Sequence, residues 1–573
     1  MRYVEAMQTK HFFTLLWIHM TMGIIALRNT LMDPTHRTVG HPDSDVYPHL
    51  WGYWRWIRKW NDGGFAETWN NAEPFLNAPY TGDLYHVDWL NGFIVWMGTS
   101  IGMPFLMSVN AMILLQWTLM GIGAIALGKR LQLTFWPMLF IVCCLDTTPF
   151  IERFVLHSSV FERLNLGWVL LYLYCLTGLI QKQRWQYCIG GIVFFGLTVL
   201  GSWHYALFAI LSSIWIASWH LVQNRSLWKP MVSLAIGCAS IAYPISRRAQ
   251  SSLQEGSIIE HKAQRFWDWN TPLEVLNDFT VFDLFSPTVQ QSFGFDVLEE
   301  SIFIGWAIPL GWLSFIAIKK LRTKGTGLWF AMSLYFTVLT LGPNITINET
   351  LTVTSPIYYA TAGLVPYFST MEVPWEYSWM ALLTGAVLCA LLLKHVTRYA
   401  WIASVMVLLQ HQICFREPVS TTQPVPVDAQ VISTLRTSSQ NIFNFPLTNR
   451  NTSTAQSPHH EYLWMQTLHE RPIAYGIQQS WLQQTEVWRR LNETVNTAES
   501  WRTIRQQCRL NACQNADSLR GELNQQGFTQ FVLHLNFIPQ KRHNAQLVLW
   551  KEIFGAPLAQ SDAHVVYQII SKQ

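Results

Sequence analysis

Apolar residues in this chain come in long runs, at about 12–27, 106–127, 132–149, 165–180, 187–201, 203–222, 231–245, 301–318, 327–343, 377–393 and 399–414. A helix needs about 20 apolar residues to cross the hydrocarbon core, fewer if it is short or kinked. The runs therefore predict about eleven membrane spans. The polar gaps between them alternate in character. GKR (128–130), QKQR (181–184), QNRSLWK (223–229), KKLRTK (319–324) and KHVTR (394–398) are short and basic, and they occupy every second gap. Basic loops stay in the cytoplasm. This places 28–105, 150–164, the turn near 202, 246–300 and 344–376 on the other side, with the amino terminus cytoplasmic and the tail outside.

After Phe415 the pattern changes. Residues 415–430 are rich in Pro, Thr and Val without a period, as in a linker. NIFNFPL (441–447), FTQFVLHLNF (528–537) and HVVYQII (564–570) read as strands. Residues 484–507 read as a helix with Trp488, Leu491, Val495 and Trp501 on one stripe. The expected fold is thus a mainly α, polytopic membrane bundle over 1–414, the 415–430 linker, and a small extracytoplasmic α/β domain over 431–573.

Composition sharpens this picture. Of 573 residues, 50% are hydrophobic and 13% charged, about half the charge of soluble domains. The formal charge of +4 is too small to imply nucleic acid. The tryptophans and tyrosines fit interfacial belts. Phe12–Leu27 lacks a small-residue cleavage site and reads as a retained signal anchor. Loop 28–105 is too long for a mere connection and predicts amphipathic helices lying on the membrane. Seven cysteines lie in or beside apolar runs. Cys508 and Cys513 are the only two in the tail, and an oxidising compartment predicts a disulfide between them. The chain has no GxxxxGK[ST], no GxGxxG after a strand, no HExxH and no GxSxG, so nucleotide hydrolysis, zinc proteolysis and serine hydrolysis have no support.

Several segments resemble the GT-C superfamily of integral-membrane glycosyltransferases, in particular a large bacterial branch of it. SDVYPHLWGYWRW (44–56) is similar to that branch's Asp-containing first outer loop ending in an aromatic run. FDLFSP (282–287) with LEESIFIGW (298–306) is similar to its acidic outer loop entering a span. LVPYFSTMEVPWEYSW (364–379) takes the place of its proline-rich segment. HERPIAYGIQQS (469–480) and QLVLWKEIFGAPLAQSDAHVVYQI (546–569) look like its tail domain. The resemblance implies a bacterial inner-membrane enzyme that moves a hexosyl or pentosyl group from a polyprenyl-phosphate donor to a lipid, glycan or protein acceptor on the outer face. One departure stands out. That branch has arginines around its proline, whereas this chain has Glu372 and Glu376 around Pro374, so the donor phosphate needs cations from elsewhere.

The richest chemistry lies in residues 40–58, directly after the first apolar run, where carboxylates, histidines, arginines and a tryptophan cluster (Trp51, Trp54, Trp56) crowd a membrane edge, and carboxylates beside stacking aromatics suit a sugar ring. Asp45 is the expected base that deprotonates the acceptor hydroxyl. Asp43 assists it or binds a divalent cation such as Mg or Mn. The same DSD triplet also suits the cap of a helix starting near Val46. His49 follows Asp45 by one helical turn and is a candidate for assisting proton transfer. Asp83 and His86, in YTGDLYHVDW, are further substrate-binding candidates, although such residues also suit a turn. Arg247 and Arg248 lie on the side where the topology disfavours cations, as a phosphate partner would require. Arg153 and Arg163 compete for that role, each beside a glutamate (Glu152, Glu162). His204 and Tyr205, at the turn between two spans, are placed to line a donor cavity or to form an interfacial pair. Two other readings stay open. A transporter or flippase of lipid-linked glycans would show internal repeats and broken helices, and a non-catalytic scaffold would need no acid at the membrane edge.

Overall fold

The computed structural model describes residues 2–569 apart from 43, 70–71, 74–81, 84–87, 256–278, 287–289, 292–298, 349–350, 366–367, 369–373, 415–418, 425, 438–440, 446–457, 474–515 and 526. The chain folds as two compact units. The first comprises Met1–His49, Val87–Gln250 and Lys262–Gln423; the second comprises Leu50–His86, Ser251–His261 and Pro424–Gln573.

The first unit is helical. Its elements are α1 (Arg2–Ala26), the single turn α2 (Arg28–Leu31), the start of α3 (Val46–Trp69), α4 (Trp89–Ser100), α5 (Phe105–Arg130), α6 (Phe135–Asp146), α7 (Leu166–Lys182), α8 (Trp185–Gly201), α9 (Trp203–Gln223), α10 (Trp228–Glu255), α11 (Ala307–Ala317), α12 (Lys324–Thr340), α13 (Pro356–Leu364), α14 (Ser378–Leu393) and α15 (Ala400–Cys414). Each of the eleven apolar runs falls on one of these helices. Among the described residues, four helical stretches, Phe105–Arg130, Phe161–Lys182, Trp203–Gln223 and Pro374–Gln412, are long and apolar enough to cross a membrane. Others are shorter than their runs suggested. The run at 132–149 contains a 12-residue helix, about 18 Å of rise against a core of about 30 Å. The run at 301–318 begins as extended chain and turns at Gly305, whose φ of +84° suits glycine, before α11 starts. In the other direction, α10 runs on to Glu255, ten residues beyond its apolar run.

Close approach of small residues packs the bundle. Gly167 of α7 sits where a β-carbon would fall 2.5 Å from the Leu119 backbone of α5. A buried polar contact ties α1 to its neighbours. His19 Nδ1 lies 2.6 Å from Asp146 of α6, and His19 Nε2 is 2.7 Å from the Trp117 carbonyl of α5. Two of the basic loops also meet. Arg130 donates to Tyr187 Oη at 2.6 Å and stacks on Tyr174 and Tyr187.

Loop 28–105 carries two helices, α3 and α4. The start of α3 is fixed by an unusual zipper. Strand β1 (Thr38–Val39) pairs antiparallel with Thr421–Thr422, inside the segment expected to be a plain linker. Gly40 follows, with φ +116°, and a β-carbon there would fall 1.6 Å from Ser159 Oγ. His41 N–H then donates to the His157 carbonyl at 2.8 Å and Asp45 N–H to the Ser158 carbonyl at 3.3 Å. Ser44 and Ser159 hydroxyls lie 3.0 Å apart. The strip 153–159 that receives this loop closes a π-helical stretch, Phe150–His157. Such wide turns often mark functional sites.

The second unit is an α/β sandwich. Strands at Asn441–Phe445, Phe528–His534 and His564–Gln568 lie where the sequence predicts them, and the short strand Ala559–Gln560 completes a four-stranded sheet. The first two strands pair parallel, and the remaining pairs are antiparallel. Alternation splits the apolar residues between two faces. Phe443, Phe445, Phe531, Leu533, Val565 and Tyr567 pack with α19 (His543–Phe554) and with Leu523 of α18 (Ala516–Gln525). Ile442, Val532 and Val566 pack with α16 (Ala429–Arg436) and α17 (Pro458–His469). Trp51 joins this second face, with its indole N–H donating to Gln466 Oε1 at 2.7 Å. The tryptophans after Asp45 were expected to offer a stacking surface. Instead Trp51 is core, and Trp56 is buried against Trp60 at 4.9 Å. The helix predicted at 484–507 and the Cys508–Cys513 pair lie outside the described residues.

Candidate active site

Four separate loops of the first unit meet in one polar cluster. From the first loop comes His49, in the first turn of α3. Its Nε2 is 3.1 Å from Glu162 Oε2. Glu162 and Arg163 come from the second loop, on the single turn Phe161–Leu164 that leads into α7. Asn165 holds that turn in place by donating to the carbonyls of Glu162 at 3.0 Å and Gly201 at 3.1 Å. The third loop is the α8–α9 turn. Ser202 accepts from Arg163 Nη1 at 3.0 Å, and Tyr205 Oη donates to the Arg163 carbonyl at 2.5 Å. From the fourth comes Glu376, just before α14. Its carboxylate meets Arg163 Nη2 at 2.8 Å and His204 Nδ1 at 3.0 Å. Arg163 Nη1 also lies 3.6 Å from Glu162.

The alternating basic loops predict that these four loops share one side of the membrane. Their meeting in one cluster is consistent with that reading. Burial makes the charges interdependent. Arg163 is 6% exposed and Glu376 is 1% exposed, and an unpaired charge at such a place is strongly disfavoured. Each ion is therefore matched with another.

Asp45 lies one helical turn before His49. It immediately precedes α3, and its carbonyl accepts the His49 N–H at 3.1 Å. The capping position and the expected catalytic position are thus the same residue. Burial of His49 opposes a charged imidazole, but Glu162, together with Asp88 and Asp45, outweighs it and raises the His49 pKa above its ordinary value. Asp88 belongs to a further buried polar chain. Asn91 Nδ2 donates to Asp88 at 3.1 Å, and Gln116 donates to Asn91 at 2.8 Å.

The sequence candidates separate as follows. His49, Arg163, His204 and Tyr205 come together in the cluster, with Asp45 one turn before His49. Asp43 lies outside the described residues, as does His86. Asp83 sits in a short hairpin with Ala72–Glu73 and groups with the second unit. Arg153 is buried on the π-helical stretch, and its neighbour Glu152 contacts His411. Arg247 is exposed on α10, and none of the cluster's described contacts involves it; Arg248 follows it on the same helix. Arg163 does not offer a free cation either, since Glu376 and Glu162 occupy it. Sequence reasoning passed over Glu162 and Glu376 as central groups. The available signal was a carboxylate placed one to three residues before an apolar run, where an unpaired charge is expensive. Among the described residues, no group of three or more His, Cys, Asp or Glu side chains is arranged to hold a metal ion.

The fold has known counterparts. The chain is similar to the arabinofuranosyltransferase AftD from Mycobacteria, with a TM-score of 0.52 and 11% identity over 97% of this chain and 41% of AftD. It therefore spans about two fifths of AftD's length. It is also similar to the oligosaccharyltransferase of Archaeoglobus fulgidus (TM-score 0.45, 10% identity, 94% of this chain and 71% of that one). A third counterpart is ArnT from Cupriavidus metallidurans bound to undecaprenyl phosphate (TM-score 0.42, 10% identity, 97% and 98%). No family model and no curated protein matches the chain. At such identities the likeness is one of fold. The chain is a membrane protein with a GT-C-like fold.

Proposed function

We propose that this chain is a membrane glycosyltransferase that moves a sugar from a polyprenyl-phosphate donor to a lipid, glycan or protein acceptor. The observation that carries the reading is the charged cluster His49–Glu162–Arg163–Glu376–His204, with Asp45 beside it, where four loops meet at the ends of apolar helices in a GT-C-like fold. AftD, the neighbour with the higher TM-score, is named for the transfer of an arabinofuranosyl group.

In the proposed reaction Asp45 takes the proton of the acceptor hydroxyl as its oxygen bonds to the anomeric carbon. The bond from that carbon to the phosphate oxygen breaks, and its electron pair leaves with the polyprenyl phosphate. The configuration inverts. His49, held by Glu162, supplies positive charge one turn from Asp45. His204, oriented by Glu376, and Arg247 or Arg248 are the proposed contacts of the donor phosphate, because Arg163 is already paired. Asp43 with Asp45 would be the place for a divalent cation if the reaction uses one. The proposed setting is a bacterial inner membrane, with the cluster and the tail outside.

Replacing Asp45 tests the reading. Asp45→Asn should leave the fold intact and lower turnover with a polyprenyl-phosphate sugar by about 10²- to 10⁴-fold, the usual contribution of a proton-transfer group. Turnover near the parent rate in a folded Asp45→Asn protein would refute the role. Cysteine labelling tests the orientation: residue 460 should react from outside and residue 322 should not, and the reverse pattern overturns it.

A further inference from the structure

The second unit contains a cavity of about 470 Å³ that the reaction proposed above does not use. It is lined by Ser433, Thr434, Thr437, Thr529, Gln530, Leu558 and Gln568. The first three residues lie on α16 and just past its end. Gln530 and Gln568 are directly opposed across the two central strands. From this we infer that the second unit carries a binding site for an uncharged sugar.

The protons of the cavity wall are already committed to the backbone. Ser433 Oγ donates to the Gln430 carbonyl at 2.9 Å, and Thr434 Oγ1 donates to the same carbonyl at 2.8 Å. Thr437 Oγ1 donates to the Thr434 carbonyl at 2.6 Å. Gln530 Nε2 donates to that Thr434 carbonyl at 3.1 Å. Each of these groups has committed a donor to the backbone and keeps free acceptor lone pairs. The Gln530 side-chain oxygen is the clearest case. Gln530 is 3% exposed, and its Oε1 is buried without a hydrogen-bond partner among the described residues. A buried acceptor left unmatched costs free energy until a donor arrives.

The wall is therefore rich in acceptors, and no lining residue is charged. An anion would need a cation or several donors; no cation lines the cavity, and the three hydroxyls have already spent their protons. A cation would need a carboxylate, and none lines the cavity. A ligand with many hydroxyl donors and no net charge meets both conditions, and a saccharide is such a ligand. The volume is within the usual range for small-molecule sites, with room for one ring and part of a second. The site is independent of Asp45 and of the chemistry assigned to it.

Saturation-transfer NMR on the full chain in nanodiscs tests this. The probes are glucose, galactose, mannose, arabinose and their disaccharides, with choline and lysine as cationic controls. The protein carries Asp45→Asn, so that failure of the proposed reaction does not affect the result. The expected result is saturation of one or more sugars but not of the cations. Gln530→Leu, which replaces the orphan acceptor with an apolar group of similar size, should weaken that binding by about tenfold. Thr434→Val and Gln568→Leu should also weaken it. No sugar signal across the panel, binding of the cations instead, or sugar binding unchanged in Gln530→Leu would each overturn the inference. A Gln530→Leu protein that unfolds is replaced by Ser433→Ala, which removes a rim acceptor and should also weaken sugar binding; unchanged binding in that variant overturns the inference too.

Discussion

Arg163→Met puts the charge balance of the cluster to the test. The guanidinium lies 2.8 Å from Glu376 and 3.6 Å from Glu162. At an effective dielectric of about 20, two unit charges at these distances attract by about 6 and about 5 kcal/mol. Most of that gross attraction offsets the cost of taking three charges out of water, so the sum overstates what the variant loses. Removing one partner of a buried pair costs about 3–5 kcal/mol, because the remaining charge stays buried and unmatched. Glu376, at 1% exposure, is the group left in that position, with His204 beside it. The assay is thermal unfolding of the purified full chain in detergent at neutral pH. With an unfolding entropy of about 2.1 cal/mol/K per residue, a unit of this size shifts by about 1–1.5 °C per kcal/mol, so Arg163→Met should lower Tm by roughly 3–8 °C. The double variant Arg163→Met/Glu376→Met removes both charges and fills the space with apolar atoms. It should recover most of the loss, since apolar replacement of a buried pair is often neutral. A single variant within about 2 °C of the parent, on the slope above, would refute the argument that burial couples these charges. So would a double variant as unstable as the single one.

Two further outcomes are expected. The second unit should lose stability in acid. Burial first, then nearby cations, hold the His469 pKa down to about 3, burial holds His564 at about 4, and burial with neighbouring histidines holds His534 well below its ordinary value. The unfolded chain takes up these protons near pH 6.5, so stability is full above that pH and falls as pH drops below it, with the His564 share levelling off near pH 4 and the His469 share only near pH 3. His564 alone accounts for up to about 3 kcal/mol. Unfolding scans from pH 7.5 to 4 check this, and His564→Gln should flatten the slope; a flat parent profile rejects it. Gly167→Ala should cost about 1–3 kcal/mol by overpacking against the α5 backbone, read as a lowered Tm, and an unchanged Tm would show that the α5–α7 contact can give way.

Much of the fold was legible because its causes are local. The strands at 441–445, 528–534 and 564–568 announced themselves by short apolar runs bounded by polar residues, and each apolar run of the bundle became a helix. The start of α3 was legible too, since DSD before Val46 is a capping pattern. Helix lengths were less so. The run at 132–149 reads as one span, but its helix stops at Asp146, whose carboxylate is taken by His19 of α1, 127 positions earlier. The tryptophans at 51 and 56 misled for a similar reason. An aromatic run has the same appearance whether it stacks on a sugar or packs in a core, and only partners such as Gln466 distinguish the two.

What the sequence determined by itself is which segments are apolar helices, because the cost of placing charge in lipid acts on every short window of chain without regard to its neighbours. What only the tertiary structure decided is which charges meet. Arg163 and Glu376 are 213 positions apart, and at that separation the local pattern cannot choose a partner. Arg163 reads in the sequence as a candidate phosphate clamp, and Glu376 as a departure that removed one. In the fold they neutralise each other, because two buried ions that reach the same place must pair, and that place exists only once four loops have been brought together.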